Sequence, residues 1–498
     1  MNDALRTLLA RRAFLGAGLN GIGRLALGSL ALGCAGPSLH ALQSGARSGG
    51  VRTGSVRTGG LAALPNFAAR AKRVLCLFQS EGFSHIDLFD PKQTLIDFAG
   101  QDLPPSIKGT QRVTGMTSGQ ATFPVVPPIA GGKRCGESGL WISDLLPHLQ
   151  TVADELCFVK SMHTDAINHD PAVTFLCTGN EQPGYASMGS WVSYGLGSEC
   201  EDLPAFVVLV SQGSGKNPGQ PIFSRLWGSG FLPSSHQGVG LRPGGNPVLF
   251  LANPPGVERE QRRAELDDLA ELNRLHAERV GDPETLARIH AYEMAFRMQA
   301  SVPELADTSN ESAQTLESYG PDVSRPGSYA ANCLLGRRLL ERGVRFVQLF
   351  HRGWDQHVAI RRQLPNQCRD VDQPTAALLM DLKARGLLDD TLVLFATEFG
   401  RTAFSQGDPA DPSSGRDHHG RCFTVWLAGG GVKAGTEYGT TDDFSYNVAA
   451  NPVAVRDLHA TMLHCLGIDH ERFTFPFRGL DVKLTSVEQA RVVHEILA

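Results

Sequence analysis

Beyond residue 70 the chain alternates short, unbroken apolar runs with segments of helical periodicity. The apolar runs are RVLCLF (73–78), LCFVKSM (156–162), AFVVLV (205–210), VRFVQLF (344–350), TLVLFATEFG (391–400) and CFTVWLAGGG (422–431). The helical segments are GSYAANCLLGRRLLERG (327–343), TAALLMDLKARGLLDD (375–390) and DLHATMLHCLG (457–467). An unbroken apolar run is typical of a strand buried on both faces, as in a parallel sheet covered by helices. The alternation therefore predicts an α/β fold with a mainly parallel central sheet.

The N-terminal segment has the layout of an export signal. Arg11 and Arg12 are followed by a Phe-Leu pair and a Gly/Ala/Leu stretch of modest hydrophobicity. This pattern predicts a twin-arginine signal over residues 1–41, recognised by the twin-arginine translocation machinery, and a periplasmic or cell-surface location. Cys34 follows LALG as in an imperfect lipoprotein box, so cleavage there with a lipid anchor and cleavage near Ala41 both remain open.

The remaining organisation follows from composition. Residues 42–66 are rich in Gly, Ser, Thr and Arg and repeat VRTG twice, which predicts a flexible linker. Residues 67–498 are then the folded domain. Within it, the charged, helix-rich stretch 258–300 predicts a helical insertion spanning about 212–325.

Bulk properties exclude several classes of function. The formal charge of −5 and the pI near 6.3 give no basic surface for nucleic acid. No apolar run after residue 40 is long enough to cross a bilayer, which predicts no transmembrane helix in the mature chain. The ten cysteines form no CxxC pair, so neither a thiolate zinc site nor a redox motif is predicted. No GxGxxG follows the first apolar run, which disfavours a nicotinamide-dependent oxidoreductase.

Acids and histidines stand beside five of the predicted strands, where ligands bind in open α/β sheets. The groups are Glu81, Ser84, His85, Asp87 and Asp90; His163, Asp165, His169 and Asp170; Asp355 and His357; Glu398; and Asp417, His418 and His419. Because the carboxyl ends of parallel strands meet at one edge of a sheet, these side chains are expected to share a cleft. Neutral imidazole with carboxylate suits a divalent metal, and we expect zinc, manganese or calcium.

Several strings of this chain closely resemble a bacterial family of proteins of unknown function, DUF1501. They are FQSEGFSHIDLFDPK, GWDQH, LLDDTLVLFATEFGRT, GRDHHGRCFTVWLAGGGVKAG and DLHATMLHCLGIDHERFTF, in order from about residue 70 to the C-terminus. The family is regarded as related to alkaline phosphatases and sulfatases. The resemblance therefore implies an alkaline phosphatase-like three-layer sandwich. Many members carry a twin-arginine leader.

The resemblance also implies roles for particular residues. Asp355 and His357 look like the Asp and His that hold one metal in alkaline phosphatases, with closer spacing. His418, or less readily His419, matches the later histidine ahead of FTVWLAGGG. At the second metal of those enzymes Glu398 takes the acid position, but a phenylalanine replaces the histidine.

The nucleophile of sulfatases has no counterpart. In HDPAVTFLCTG, Pro171, Thr178 and Gly179 fall in register with the sulfatase motif, but His169 stands where the nucleophile belongs. Imidazole can ligate a metal or carry a proton. It would not form the covalent intermediate of these relatives.

Three functional readings remain open at this point. A metal-activated hydroxide could attack a phosphate or sulfate ester of a small molecule or polysaccharide. Ser84 could instead act as nucleophile with His85 as base, although both could equally serve as hydrogen-bonding residues of their loop. The third reading is a non-catalytic exported scaffold, or a carbohydrate- or partner-binding protein.

The candidate site residues fall into three roles. Ser84, His85 and His169 are the catalytic candidates, and both histidines are also candidate metal ligands. The predicted metal ligands are Asp355, His357, Glu398, Asp417 and His418. The predicted substrate-binding residues are Arg401, Arg416 and His419, although each arginine could instead pair with a nearby acid.

Overall fold

The computed structural model describes residues 59–214, 219–244, 247–248 and 251–498. The predicted export signal, Cys34, Ala41 and most of the predicted linker lie outside the described residues. The strands are β1 Arg73–Gln79, β2 Gly132–Cys135, β3 Leu140–Ser143, β4 Cys157–His163, β5 Phe206–Gln212, β6 Val239–Gly240, β7 Phe346–Arg352, β8 Thr391–Ala396, β9 Gly400–Gln406, β10 Gly415–His419, β11 Phe423–Ala428, β12 Thr436–Tyr438, β13 Thr440–Thr441, β14 Val448–Ala450, β15 Val453–Ala454, β16 Phe475–Phe477 and β17 Leu480–Val482. The α-helices are α1 His85–Leu88, α2 Gln93–Asp97, α3 Pro105–Lys108, α4 His169–Thr178, α5 Met188–Leu196, α6 Arg259–Val280, α7 Pro283–Ala306, α8 Ala313–Ser318, α9 Tyr329–Glu341, α10 Ile360–Ala384 and α11 Val455–Cys465.

The central sheet has the strand order β12-β4-β11-β8-β1-β7-β5-β6, and β15 also pairs with β4. β1 pairs in parallel with both β7 and β8, and β5 pairs in parallel with β7. β11 runs antiparallel to β4 and to β8. The predicted α/β fold with a mainly parallel sheet is therefore confirmed, and all six predicted apolar runs contain strands.

The unbroken apolar runs supply hydrophobic side chains to both faces of the sheet. In β1, Leu75 and Leu77 belong to one core cluster, whereas Val74, Cys76 and Phe78 belong to the other. Residues of α9 and α10 join the first cluster, and residues of α4, α5 and α11 join the second. Helices therefore cover both faces, which gives three layers and explains why these strands lack the polar alternation of a half-exposed sheet.

Two elements differ from the sequence prediction. α10 begins at Ile360, well before the predicted helical segment 375–390, and includes Pro365 and Pro374. Prolines normally end a helical pattern, but buried residues on one face, such as Leu364, hold this helix against the core. The predicted loop ahead of β11 is in part a strand, because β10 pairs antiparallel with β9.

The helical stretch that was predicted as an insertion contains a long antiparallel pair, α6 and α7. Arg263 of α6 binds Glu293 of α7 at 2.6 Å, and Met298, Val302 and Leu305 of α7 enter the first core cluster. Among the described helices, none is both long enough and apolar enough to cross a bilayer.

The last residues of the predicted linker contact the domain. Leu64 is buried, and the backbone N–H of Asn66 donates to the carbonyl of Gly467 at 2.8 Å. These contacts attach the end of the linker beside α11.

Candidate metal centre

Three imidazoles and one carboxylate converge at the carboxyl edge of the sheet. One ligand atom from each of His169, Asp355, His357 and His418 lies within 4.8 Å of the others. His169 is the first residue of α4, the helix that follows β4, and Asp355 and His357 follow β7. Because β11 is antiparallel to its neighbours, the segment that precedes it lies at the same edge, and this brings His418 of β10 into the group. We call these four residues the His3Asp cluster.

The cluster is centred on one carboxylate oxygen. Asp355 Oδ1 lies 3.2 Å from His169 Nε2, 3.0 Å from His357 Nε2 and 3.3 Å from His418 Nε2. The Nε2 atoms of His357 and His418 are themselves 2.8 Å apart. Four side chains thus direct their ligand atoms at one small volume.

An oxygen acceptor fixes the other ring nitrogen of each histidine. The contacts are His169 Nδ1 to Glu398 Oε1 at 2.8 Å, His357 Nδ1 to Gln406 Oε1 at 2.5 Å, and His418 Nδ1 to the carbonyl of Ile167 at 2.8 Å. An imidazole that donates through Nδ1 presents the lone pair of Nε2. Metal-ligating histidines typically have such a partner on the ring nitrogen that faces away from the ion.

The converging atoms form an electron-rich group that a positive charge between them would stabilise. His357 Nε2 and His418 Nε2 are 2.8 Å apart, a distance that is favourable only when a proton or a cation lies between the two nitrogens, and His169 Nε2 is buried without a hydrogen bond of acceptable geometry. Burial lowers the pKa of His169, but the contacts with Asp355 and Glu398 outweigh it and raise that pKa to about 9. The cluster therefore attracts positive charge, and its three imidazoles and one carboxylate fit a divalent metal when His169 gives up its proton to the ion.

The remaining pKa shifts agree with this assignment. Burial, together with the cations Arg401 and protonated His169, lowers the pKa of His418 to about 3 despite its contact with Asp355, so its ring is a neutral donor. Burial raises the pKa of Asp355, but Arg401 and the three histidines lower it far below the ordinary range. Asp355 is therefore an anionic ligand at any physiological pH.

Arg401 binds the carboxylate of the cluster and three neighbouring segments of the backbone. Its guanidinium is fully buried and donates to Asp355 Oδ1 at 2.8 Å and to the carbonyl of Gly82 at 2.6 Å. Further contacts reach the carbonyls of Glu81, Trp354 and Arg416. A planar five-donor group thus ties together the segments after β1, after β7 and in β10.

Glu81 supports the same edge through its backbone. Its φ of 91° is a conformation that side-chain-bearing residues rarely adopt. In this conformation its N–H donates to both carboxylate oxygens of Glu398, at 2.9 and 3.0 Å. Burial raises the pKa of the Glu81 carboxyl to about 7 despite a hydrogen bond from the backbone of Gln220.

The cluster is enclosed on one flank and accessible on another. The Phe399 ring is fully buried and lies 5.0 Å from the His169 ring and 4.6 Å from the His418 ring, measured between centroids. Phe399 is thus an apolar wall on this flank of the cluster. On the other flank His357 lines a cavity of about 350 Å³ together with Met116, Gln120, Val358, Gln406, Gly407, Asp408, Asp411, Ser413 and Ser414.

The N-terminus of α4 also faces this edge. The helix begins at His169, and its N-cap Asn168 makes no side-chain capping bond. Among the described residues, none accepts a hydrogen bond from the backbone N–H of His169 or Asp170. Free N–H groups at a helix N-terminus favour an anion.

The structure places the predicted metal ligands in two sets. Asp355, His357 and His418 belong to the His3Asp cluster, and so does His169, which was a catalytic candidate. Glu398 and Asp417, which were also predicted as metal ligands, are not members of this cluster. Glu398 binds His169 Nδ1, whereas Asp417 accepts hydrogen bonds from Thr114 and Thr117 and lies 3.9 Å from His357 Nδ1. Their predicted roles as ligands stay predictions.

The other candidates are buried in contacts outside the cluster. Ser84 Oγ donates to Asp87 Oδ2, and His85 Nε2 lies 3.1 Å from the carbonyl of Ser445. Arg416 forms a two-point ion pair with Asp87 at 2.9 and 3.1 Å. His419 stacks on Tyr446 with 4.0 Å between ring centroids. The predicted roles of Ser84 and His85 in catalysis and of Arg401, Arg416 and His419 in substrate binding stay predictions.

Several residues at the site were not identified from the sequence. Gln406 and the carbonyl of Ile167 accept hydrogen bonds from His357 and His418. Thr114 and Thr117 donate hydrogen bonds to Asp417. A carbonyl acceptor carries no sequence signal. Gln406 is the last residue of β9. It is 49 residues from His357 in the sequence, and its contact with His357 is evident only from the three-dimensional structure.

Comparison with known proteins gives a family and weak structural similarity. The model of a family described as a protein of unknown function, DUF1501, matches residues 71–497. None of the curated proteins compared matches the chain.

Solved structures with similarity include a sulfatase, PsFucS1, from Pseudoalteromonas sp. (TM-score 0.34, 14% identity, covering 84% of this chain and 72% of that one). A phosphonate monoester hydrolase from Silicibacter pomeroyi has a TM-score of 0.34 at 9% identity, covering 86% of this chain and 76% of that one. An alkaline phosphatase from the Antarctic bacterium TAB5 has a TM-score of 0.30 at 11% identity, covering 80% and 98%. Similarity at this level carries no functional inference, so the function must follow from the residues of the site.

Proposed function

The chain belongs to the DUF1501 family, described as proteins of unknown function, and we propose its function from the residues of the site. We propose that it is a metal-dependent hydrolase of phosphate or sulfate esters. The main support is the His3Asp cluster. In it, one ligand atom of each of three imidazoles and one carboxylate lies within 4.8 Å of the others, and the Nδ1 atom of each imidazole contacts an oxygen acceptor. Zinc and manganese are the ions that best suit this donor set.

Different residues of the site would bind the metal, attract the substrate and exclude water. His169, His357, His418 and Asp355 would hold the ion, which would lower the pKa of a coordinated water towards ~7 and neutralise developing charge. The free N–H groups at the start of α4 attract the anionic ester group to the same place. Phe399 excludes water from one flank of the cluster.

Direct attack by water is favoured over a covalent intermediate. His169 occupies the start of α4 and uses both ring nitrogens, one for Glu398 and one towards the cluster. Ser84 lies hydrogen-bonded to Asp87 instead of facing the cluster. The second ring nitrogens of the three histidines bind Glu398, Gln406 and the carbonyl of Ile167, none of which carries a hydroxyl or thiol group.

A second candidate is a non-catalytic protein that keeps the ion for stability. The specific observation in its favour is that four protein ligands suffice to complete a tetrahedral shell, as in structural zinc sites. In that case the ion would stabilise the edge of the sheet where three separate segments meet.

The test is turnover after controlled metal loading. Purified protein is stripped with a chelator, reloaded with Zn²⁺ or Mn²⁺ in separate samples, and assayed with p-nitrophenyl phosphate and p-nitrophenyl sulfate. We expect turnover with at least one ester, lost in His418→Ala and retained in His290→Ala, an exposed histidine of α7. Stoichiometric metal without turnover on either ester would favour the scaffold, and turnover that survives both chelation and His418→Ala would refute a metal-dependent mechanism.

We also propose that the protein is exported. The support is the paired arginines and apolar stretch of the N-terminal segment. The twin-arginine route carries folded proteins, so the His3Asp cluster could be loaded before export.

A further inference from the structure

A second cavity, of about 560 Å³, lies apart from the His3Asp cluster. Its walls come from residues 91–96, which include the start of α2, from residues 127–132, which lead into β2, and from Trp141 of β3. None of the described residues that line it belongs to the cluster. Its volume is in the range of small-molecule sites. We call it the Trp141 cavity.

The indole ring of Trp141 forms a flat, partly exposed surface in this cavity. A side chain at position 132 would place its Cβ 2.3 Å from Cζ2 and 2.7 Å from Cη2 of that ring. Gly132 is therefore the residue that allows the ring to lie across β2. A flat apolar surface beside polar groups suits a ligand that has both an apolar face and polar edges.

Two cationic side chains accompany the indole ring. Lys92 lines the cavity, and 25% of its side chain is exposed. Arg134 is exposed and pairs with Trp141 in the register of β2 and β3, so both side chains point to the same face of this hairpin. None of the described residues that line the cavity is acidic. The lining therefore favours an anionic ligand.

Lys92 can contact a ligand without leaving its present partner unpaired. Its Nζ lies 3.1 Å from Asp90 Oδ1, but Asp90 is also 3.8 Å from Lys160 Nζ. The hydroxyls of Thr441 and Ser445 donate to Asp90 as well, the second at 2.8 Å. Asp90 therefore keeps three partners when Lys92 turns into the cavity.

The wall formed by residues 127–132 is fixed by two buried residues of the sequence-predicted cleft. Asp87 Oδ1 accepts from the N–H of Ile129 at 2.9 Å, and Arg416 Nη2 donates to the carbonyl of Pro127 at 3.1 Å. Asp87 and Arg416 also pair with each other at 2.9 Å. The cavity is thus formed before any ligand binds, which lowers the entropic cost of binding.

The lining favours a sugar ring over a peptide chain. Pro91, Pro127 and Pro128 carry no backbone N–H, and the carbonyl of Pro127 already accepts from Arg416. A peptide strand would need backbone donors and acceptors along this wall. A sugar ring needs an apolar surface for its C–H face, which Trp141 provides, and a few polar side chains at its edge.

We propose that the Trp141 cavity binds an anionic sugar unit, whose ring packs on Trp141 and whose carboxylate or sulfate group contacts Lys92. This site goes beyond the proposed hydrolase, because it is separate from the His3Asp cluster and requires neither metal nor turnover. It also gives Asp87 and Arg416, which lie outside the cluster, the role of holding the wall of a ligand site.

The experiment is isothermal titration calorimetry of the full chain in the presence of a chelator. The probes are maltohexaose, sulfated maltohexaose and hexagalacturonate, so that a neutral sugar is compared with two kinds of anionic sugar. We expect at least one anionic probe to bind about tenfold more tightly than maltohexaose.

Variants of the lining locate the binding. Ile96 is 54% exposed, so Ile96→Glu should fold and should weaken the binding of the anionic probe about tenfold by repulsion, whereas the uncharged Ile96→Gln should not. Trp141→Ala should weaken the binding of all bound probes. Tyr292→Ala, at an exposed aromatic residue of α7, is its control and should bind as wild type does.

Lys92 and Lys72 form a matched pair of lysines, each bound to an aspartate. Lys92→Gln should weaken the binding of the anionic probe but not of maltohexaose, and Lys72→Gln should change neither.

Three results would overturn this inference. They are equal affinity for neutral and anionic sugars, anionic binding that is unchanged in Ile96→Glu and in folded Trp141→Ala, and binding of a proline-rich peptide at Trp141 with none of the sugars bound. Sugar binding that depends on Trp141 without turnover of any ester would support this site while refuting the proposed hydrolase.

Discussion

The three histidines of the cluster differ in the group that fixes each ring. His169 faces the carboxylate of Glu398, whereas His357 faces an amide and His418 a backbone carbonyl. A carboxylate partner makes an imidazole a stronger donor than a neutral acceptor does. His169 should therefore be the strongest of the three ligands, although the sequence comparison places it where other enzymes have a nucleophile.

Replacing Glu398 by Gln tests this hierarchy. The amide oxygen can still accept from His169 Nδ1 and from the N–H of Glu81, but the side chain carries no charge and loses the second acceptor for that N–H, so we expect metal affinity to fall by about 10- to 100-fold with the fold retained. The measurement is competition for Zn²⁺ with a chromophoric chelator. Glu341→Gln is the control, since Glu341 pairs with Arg337 and Arg385 of the helical layer. Equal affinity in wild type and Glu398→Gln would show that the carboxylate does not tune the ligand.

At the scale of elements, the site depends on strand direction more than on any local motif. Continuous apolar runs were enough to predict six of the strands. Strand ends were enough to predict that Asp355, His357 and His418 meet at one edge, whereas His85 and Asp87, which were expected in the same cleft, lie in contacts outside the cluster. The sequence contains no local signal for the antiparallel direction of β11 or for the β9–β10 pair, because both depend on tertiary pairing. The residues that those pairings position, such as Gln406, were accordingly missed.

A buried histidine links two of the helices that support the site. His459 of α11 donates through Nε2 to the carbonyl of Leu176 in α4 at 2.7 Å, and burial lowers its pKa from 6.5 to about 4. The folded state therefore resists protonation that the unfolded state accepts. The stability that this group contributes is present above pH 6.5 and is lost as pH falls from 6.5 towards 4, by about 1.4 kcal/mol per pH unit.

The variant His459→Gln isolates this contribution. Glutamine can donate to the same carbonyl but does not titrate, so the variant should lose stability less steeply than wild type between pH 6.5 and 4. Denaturant unfolding at several pH values measures the difference. His276→Gln, at an exposed position of α6, should follow the wild-type curve. Parallel curves for His459→Gln and wild type would contradict the pKa assignment.

At the scale of the whole molecule, the fold gathers ligands that are distant in sequence, from His169 to His418, at one edge of a single sheet. A site assembled in this way exists only once the domain has folded. Installing a metal before export is compatible with the twin-arginine route, which carries folded proteins.

The export prediction can be tested independently of the site. Changing Arg11 and Arg12 together to lysine should retain the protein in the cytoplasm, because the machinery reads the arginine pair. Fractionation of cells that express each form measures the outcome. Arg47→Lys, in the predicted linker, is the control. Equal export of the double variant and wild type would refute the twin-arginine assignment.

The central claim is that one divalent ion sits among three imidazoles and Asp355. Elemental analysis of purified protein, as isolated and after reloading with Zn²⁺ or Mn²⁺, tests it most directly. We predict one ion per chain in wild type, and a loss of that ion in the double variant His169→Ala/His418→Ala that leaves the helical content unchanged. Wild-type protein that stays free of metal after reloading, or a double variant that keeps its full metal content, would contradict the account.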